Sequence, residues 1–84
     1  MKKIIIYTST YCPYCITAKN LLENQNFQFV EKNIDLEPEL KTEMINRSNG
    51  RKTVPQIFFD DVHIGGCDDL VDLHQRGILK KKLL

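Results

Sequence analysis

The chain has no excess of either charge: 12 basic and 11 acidic residues leave a formal net charge of +1 over 84 residues. That balance argues against a general polyanion binder, and nucleic acid is not an expected partner. Long hydrophobic runs are missing too, since no segment approaches the roughly 20 apolar residues of a membrane-spanning helix. Met1-Lys2-Lys3 and the three isoleucines after it look like the opening of a secretory leader. The apolar stretch ends at Tyr7, however, without the length or the small-residue cleavage site of one. A soluble, cytoplasmic protein with no membrane contact is expected. Cysteine is scarce and odd in number: Cys12, Cys15 and Cys67 fit a reducing compartment better than a secreted disulfide framework. A second Cys-x-x-Cys and a His-x-x-x-His are both lacking, so the remaining ligands of a structural zinc site are not supplied and no metal is expected. Repeats, linkers and low-complexity segments are absent, and the length suits one small domain over residues 1–84.

What is present is concentrated in Cys12-Pro13-Tyr14-Cys15, two thiols three positions apart. Lys3-Ile4-Ile5-Ile6-Tyr7 is a short β-branched run that predicts a buried strand, and Thr8 to Tyr11 is polar and loop-like. Pro13 suits the first position of a helix, because its missing N–H would be unpaired there and its φ is already helical. Cys12 then falls at the N-cap, where its sulfur can accept the free N–H groups of Tyr14 and Cys15 and feels the positive end of the helix dipole. Both effects favour S⁻ over SH. Cysteines in such settings ionise at pKa values of roughly 3.5–7.5, against about 8.5 for a free thiol. Cys12 is the expected nucleophile, exposed and attacking. Cys15, on the same helix face at i+3 and more shielded, is the expected resolving thiol.

The pattern along the chain predicts β-α-β-α-β-β-α. A first helix runs from about Pro13 to Glu23, with Ala18, Leu21 and Leu22 on its apolar side and Asn24-Gln25-Asn26 as its stop. Alternation from Phe27 to Lys32 predicts a second strand, and Pro38 opens a second helix that Ser48-Asn49-Gly50 ends. Gln56–Phe59 and Val62–Ile64, joined by Asp60-Asp61, predict a tight hairpin. Gly65-Gly66 breaks the second of these strands before a third helix over Asp68–Arg76. A right-handed strand-helix-strand unit plus this hairpin makes an α/β domain with a central four-stranded mixed sheet. Ile78 to Leu84, with Lys80-Lys81-Lys82, is expected to be a solvated tail. His63 and His74 are expected to be surface or packing residues with few partners, and Tyr11 an exposed turn aromatic.

Three motifs in order, Cys12-Pro13-Tyr14-Cys15, Thr53-Val54-Pro55-Gln56-Ile57-Phe58 and Gly65-Gly66-Cys67-Asp68-Asp69-Leu70, resemble those of a dithiol glutaredoxin of the small bacterial type. The resemblance spans the whole chain and implies a thioredoxin-like fold with a cis peptide bond at Val54-Pro55. It implies Cys12 and Cys15 as the catalytic pair. Glutathione would be held by Tyr14, Thr53, Val54, Pro55, Gly66, Cys67 and Asp68. In that scheme Val54 pairs strand-fashion with the cysteinyl part of the tripeptide, and Gly66-Cys67-Asp68 clamps its γ-glutamyl end. The two glycines would leave backbone N–H groups approachable for the α-carboxylate, and Asp68 would receive the α-ammonium. The family commonly has a lysine where this chain has Ser9, which leaves Arg47, Arg51 and Lys52 as candidates to serve the glycyl carboxylate.

The activity so implied is glutathione-dependent thiol–disulfide exchange on protein disulfides and protein–glutathione mixed disulfides, with glutathione as cosubstrate and no tightly bound cofactor. Partners would be disulfide-bonded or glutathionylated proteins, ribonucleotide reductase being one candidate; glutathione reductase would take part only indirectly, and the protein is expected to be a monomer. Two other readings compete. One is an iron–sulfur cluster carrier built on Cys12 and glutathione, a geometry that Pro13 is expected to hinder. The other is a hydrogen donor reduced by a flavoprotein, against which the Gly65-Gly66-Cys67-Asp68 segment speaks.

Overall fold

The computed structural model describes residues 1–84 and contains eight elements. They are β1 (Ile4–Thr8), α1 (Pro13–Asn24), β2 (Val30–Asn33), α2 (Glu39–Arg47), β3 (Gln56–Phe59), β4 (Val62–Gly65), α3 (Cys67–Gln75) and α4 (Leu79–Leu83). The sheet order is β2-β1-β3-β4. β1 runs parallel to β2, as a strand-helix-strand crossover requires, and antiparallel to β3, with Ile5 opposite Val30 and Ile6 opposite Ile57. The β3–β4 hairpin turns on Asp60-Asp61, with Asp60 at a φ of 51°, and its register slips between Ile57 and Phe58.

β1 is central and covered on both faces, which explains why its sequence is a continuous apolar run and not an alternating one. Ile4, Ile6, Ile57 and Phe59 face α1, α3 and α4, where Ala18, Leu22, Leu70, Leu73, Leu79 and Leu83 complete the larger core. Ile5, Tyr7 and Phe58 face the other way, onto Met44 of α2. This thinner side is closed by polar groups. The Tyr7 hydroxyl donates to the Glu43 carboxylate and accepts Arg47 Nη1 at 2.9 Å, while Lys32 Nζ reaches Glu43 at 2.9 Å. The Arg47 guanidinium lies 4.3 Å from the Phe58 ring centroid.

Two expectations change. The second strand begins at Val30, not at Phe27, because Phe27 and Phe29 leave the sheet and pack against the larger core instead. Residues after Ile78 are not a solvated tail: Leu79 and Leu83 are buried at i and i+4, and the Lys2 N–H donates to the Leu83 carbonyl at 2.7 Å. The run of three lysines hid a one-turn amphipathic helix whose apolar edge completes the core. No helix is long and apolar enough to cross a membrane.

Candidate active site

β1 ends at Thr8, and the loop it feeds is tied down before α1 begins. The Ile34 N–H donates to the Thr8 carbonyl at 2.8 Å, the Thr10 N–H to Asp35 Oδ2 at 2.8 Å, and the Thr8 hydroxyl to Glu31 at 2.6 Å. Cys12 is the N-cap of α1 and Pro13 its first residue. The Cys15 N–H donates to Cys12 Sγ at 3.2 Å; of the two expected donors this is the one that engages, and the Tyr14 N–H does not. The sulfur is more recessed than expected, with Cys12 8% exposed and Cys15 1%. Its neighbours in the chain Tyr11 and Tyr14 are 95% and 64% exposed.

Burial is the main force on the second thiol, followed by its hydrogen bond with Cys12, and together they push Cys15 up to about 12. Burial, and then the charges of Asp68 and Cys12, also push the Cys67 thiol up. Cys15 and Cys67 are therefore held protonated at neutral pH.

Cys12 faces the turn before β3, its Sγ 3.8 Å from the Val54 carbonyl. The Val54-Pro55 bond is cis, as the resemblance implied. Thr53, Val54 and Pro55 form one wall of an open cavity of about 180 Å³ whose other walls are Tyr14, Arg51 and the Gly66-Cys67-Asp68-Asp69 start of α3. All seven residues assigned to ligand contact from the sequence line this one cavity. Arg51 and Asp69 line it as well. Arg51 was one of three basic candidates. Arg47 is committed to Tyr7 and Phe58 on the thinner face of the sheet, and Lys52 is not part of the wall.

Asp69 escaped sequence reasoning, although an acidic residue three positions after a helix-capping glycine is a recognisable signal. Its Oδ2 accepts the Gly66 N–H at 2.9 Å, and Gly66 has no side chain to return the bond. The Gly66 donor is thus occupied, contrary to the expectation that both glycines leave approachable N–H groups. The N–H groups of Cys67 and Asp68, in the first turn of α3, have no partner within the helix. Close approach explains the pair of glycines. A Cβ on Gly65, whose φ is +124°, would fall 2.1 Å from Asp69 Oδ2, and one on Gly66 would fall 3.3 Å from the Pro55 carbonyl oxygen. His63 is not short of partners as expected: its Nε2 lies 2.7 Å from Gln56 Oε1 and its ring stacks on Phe58 at 4.9 Å between centroids.

A mixed four-stranded sheet that delivers Cys-x-x-Cys at a helix start, opposite a cis X-Pro turn, defines the thioredoxin-like class. Within that class the glutaredoxin family model matches residues 4–64, and the chain belongs to the glutaredoxin family, whose members are thiol–disulfide oxidoreductases. The chain is 53% identical over 77 residues to glutaredoxin 3 of Escherichia coli strain K12, covering 92% of each protein. It is 51% identical over 81 residues to glutaredoxin 1 of Rickettsia felis, covering 95% of this chain and 79% of that protein. Among solved structures, the glutaredoxin of Brucella melitensis superposes with a TM-score of 0.84 at 48% identity, over 99% of this chain and 89% of that one. A buckwheat glutaredoxin–glutathione complex superposes with a TM-score of 0.87 at 28% identity, over 98% of this chain and 76% of the other.

Proposed function

We propose that this protein is a glutathione-dependent oxidoreductase that reduces protein disulfides and protein–glutathione mixed disulfides through a reversible Cys12–Cys15 disulfide. One observation carries the reading: Cys12 Sγ sits 3.8 Å from the Val54 carbonyl, and Val54 shares a cavity with unpartnered N–H groups at the start of α3, with Asp68 and with Arg51. Glutathione has two carboxylates and one ammonium. The Cys67 and Asp68 N–H groups suit the α-carboxylate, Asp68 the α-ammonium, and Arg51 the glycyl carboxylate in the role Ser9 cannot fill. Val54 backbone then pairs with the cysteinyl unit and lays its sulfur beside Cys12.

In the one-thiol route the Cys12 thiolate attacks the glutathione sulfur of a mixed disulfide. The Cys12–glutathione bond forms and the protein leaves as its thiolate. A second glutathione thiolate attacks the bound glutathione sulfur, releasing oxidised glutathione and restoring the Cys12 thiolate. In the two-thiol route Cys12 bonds to one sulfur of a protein disulfide and releases the other as a thiolate. Cys15 then loses its proton, attacks Cys12 Sγ and expels the remaining protein thiolate. Two glutathiones later reduce the internal bond. Burial raises Cys15, and so do the hydrogen bond and charge of Cys12. When Cys12 becomes a neutral disulfide its charge is gone, and Cys15 ionises more readily at the step where it must attack. No resident cofactor is needed, and glutathione reductase would recharge the pool in a reducing, cytoplasmic setting.

The test couples reduction of a glutathionylated peptide to glutathione, glutathione reductase and NADPH oxidation. Cys12→Ser should abolish turnover, while Cys15→Ser should keep it and lose reduction of a protein disulfide. No turnover by the wild type, or a Cys12→Ser variant as active as wild type, refutes the reading.

A further inference from the structure

Gln56 is a fully buried amide at the start of β3, and all of its hydrogen-bonding atoms are used. Nε2 donates to the Thr53 carbonyl at 3.0 Å and to the Thr53 hydroxyl at 3.1 Å; Oε1 faces His63 Nε2 at 2.7 Å. The Thr53 carbonyl decides which way round the amide sits, because a carbonyl oxygen can only accept and so must face Nε2. Oε1 is then left to face His63, and the tautomer with the proton on Nε2 completes the bond and locks that orientation.

The Thr53 carbonyl does not belong to Thr53 alone. It forms one rigid plane with the Val54 N–H, and in a trans peptide the C=O and N–H point in opposite directions. Whatever grips the carbonyl therefore aims the N–H. Thr53-Val54 is trans, Val54 lies in the cavity wall, and its N–H has no acceptor within the protein. A donor at the edge of a turn with no internal bond is otherwise free to rock with its peptide plane.

We propose that Gln56 is a positioning residue for the bound tripeptide: by holding the Thr53 carbonyl it fixes the peptide plane that presents the Val54 N–H, and His63 keeps Gln56 in the orientation that does so. The proposal rests on the functional reading above, in which Val54 receives the cysteinyl unit. It assigns work to two residues that touch neither the substrate nor the reacting sulfurs. Stacking on Phe58 holds the His63 ring in place, and burial, then the nearby Arg51 charge, lowers its pKa, so it is neutral at pH 7.5. Replacing it at that pH therefore leaves the charge of the cavity unaltered.

The test compares wild type, Gln56→Met, His63→Phe and the double variant at pH 7.5. Two readouts are used: steady-state reduction of a glutathionylated peptide, and the ¹⁵N order parameter of the Val54 amide without ligand. Gln56→Met keeps the volume and removes the amide. KM should rise about tenfold with kcat within about twofold, the loss of one to two modest hydrogen bonds' worth of alignment. His63→Phe keeps the stacking and should raise KM about threefold. The double variant should match Gln56→Met alone, because His63 acts through Gln56. The Val54 order parameter should fall in Gln56→Met and, less, in His63→Phe. A folded Gln56→Met with wild-type KM, or with an unchanged Val54 order parameter, overturns the proposal. If Gln56→Met does not fold, His63→Phe decides, and wild-type values there overturn it. Absence of glutathione-dependent turnover in the wild type would sink the functional reading instead, and the order parameter would still decide whether Gln56 fixes the plane.

Discussion

α1 and α3 begin at the same cavity, and each finishes its first turn differently. α1 carries its own acceptor, Cys12 Sγ, which takes the Cys15 N–H at 3.2 Å, and Pro13 removes a further donor at the first position. α3 has no side-chain acceptor at its N-cap. Asp69 reaches back for the Gly66 N–H, and the Cys67 and Asp68 donors stay without helical partners. Both termini present the positive end of a helix dipole. One satisfies it with a sulfur of the chain; the other leaves its first donors without a side-chain acceptor. In the proposed function the two helix starts divide the work of one site: the first would hold the reacting sulfur and the second would bind the ligand's carboxylate.

The largest contrast should appear in thiol reactivity. At pH 8 a thiol with a pKa of about 12 is ionised in about one molecule in 10⁴, and the thiolate is the nucleophile. Iodoacetamide should add once to the native protein, at Cys12, with Cys15 and Cys67 labelled only after unfolding. Mass spectrometry of the alkylated protein reads this out, and prompt labelling of Cys15 would erase the asymmetry within α1.

The α3 start should be the more fragile to substitution. Gly65→Ala meets both a φ of +124° and an Asp69 oxygen 2.1 Å from the new Cβ, so a loss of at least about 2 kcal/mol is expected in urea denaturation. A neutral result would show that this loop is not held against Asp69. Asp69→Ala should cost about 1 kcal/mol, the value of one capping interaction. If its midpoint matched wild type, the Gly66 N–H would be as open as the sequence suggested.

The smallest effect lies away from both termini and serves as their reference. The Tyr7 hydrogen bond, and then Lys32, hold Glu43 below the usual glutamate range. A depressed folded pKa adds stability above the unfolded value of about 4.3, and that stability is lost as pH falls through the folded value. Thermal melts between pH 7 and pH 3 should therefore decline more steeply for wild type than for Glu43→Gln. The difference should stay below about 1 kcal/mol, because the carboxylate is 40% exposed and solvent screens it. Parallel curves would mean that the Glu43 charge contributes nothing to folding.

Much of the site was legible because its signals are local. The N-cap position of Cys12 follows from Pro13 and the strand before it, and the seven residues that the resemblance named all border one cavity. What escaped reading was non-local or masked by composition. Leu79 and Leu83 were hidden among lysines, and only their burial against the larger core reveals a helix. Phe27 and Phe29 alternate like a strand, yet core packing draws them away from β1, and pairing starts at Val30. Arg47 and Arg51 are equivalent as letters. Packing on Phe58 removes the first from the cavity and places the second in its wall.

The sequence by itself determined the order of the first seven elements, the central apolar strand, and a thiol at the start of a helix, since each depends on residues within one or two turns of each other. Tertiary structure alone decided how far Cys12 is recessed, which donor it accepts, that Asp69 occupies the Gly66 N–H, and that a buried Gln56 joins Thr53 to His63. The contacts of Cys12, Gly66 and Gln56 join residues close in the chain, but whether each one forms turns on rotamers and distances of a few tenths of an ångström, which close packing against the rest of the fold sets and periodicity and propensity do not.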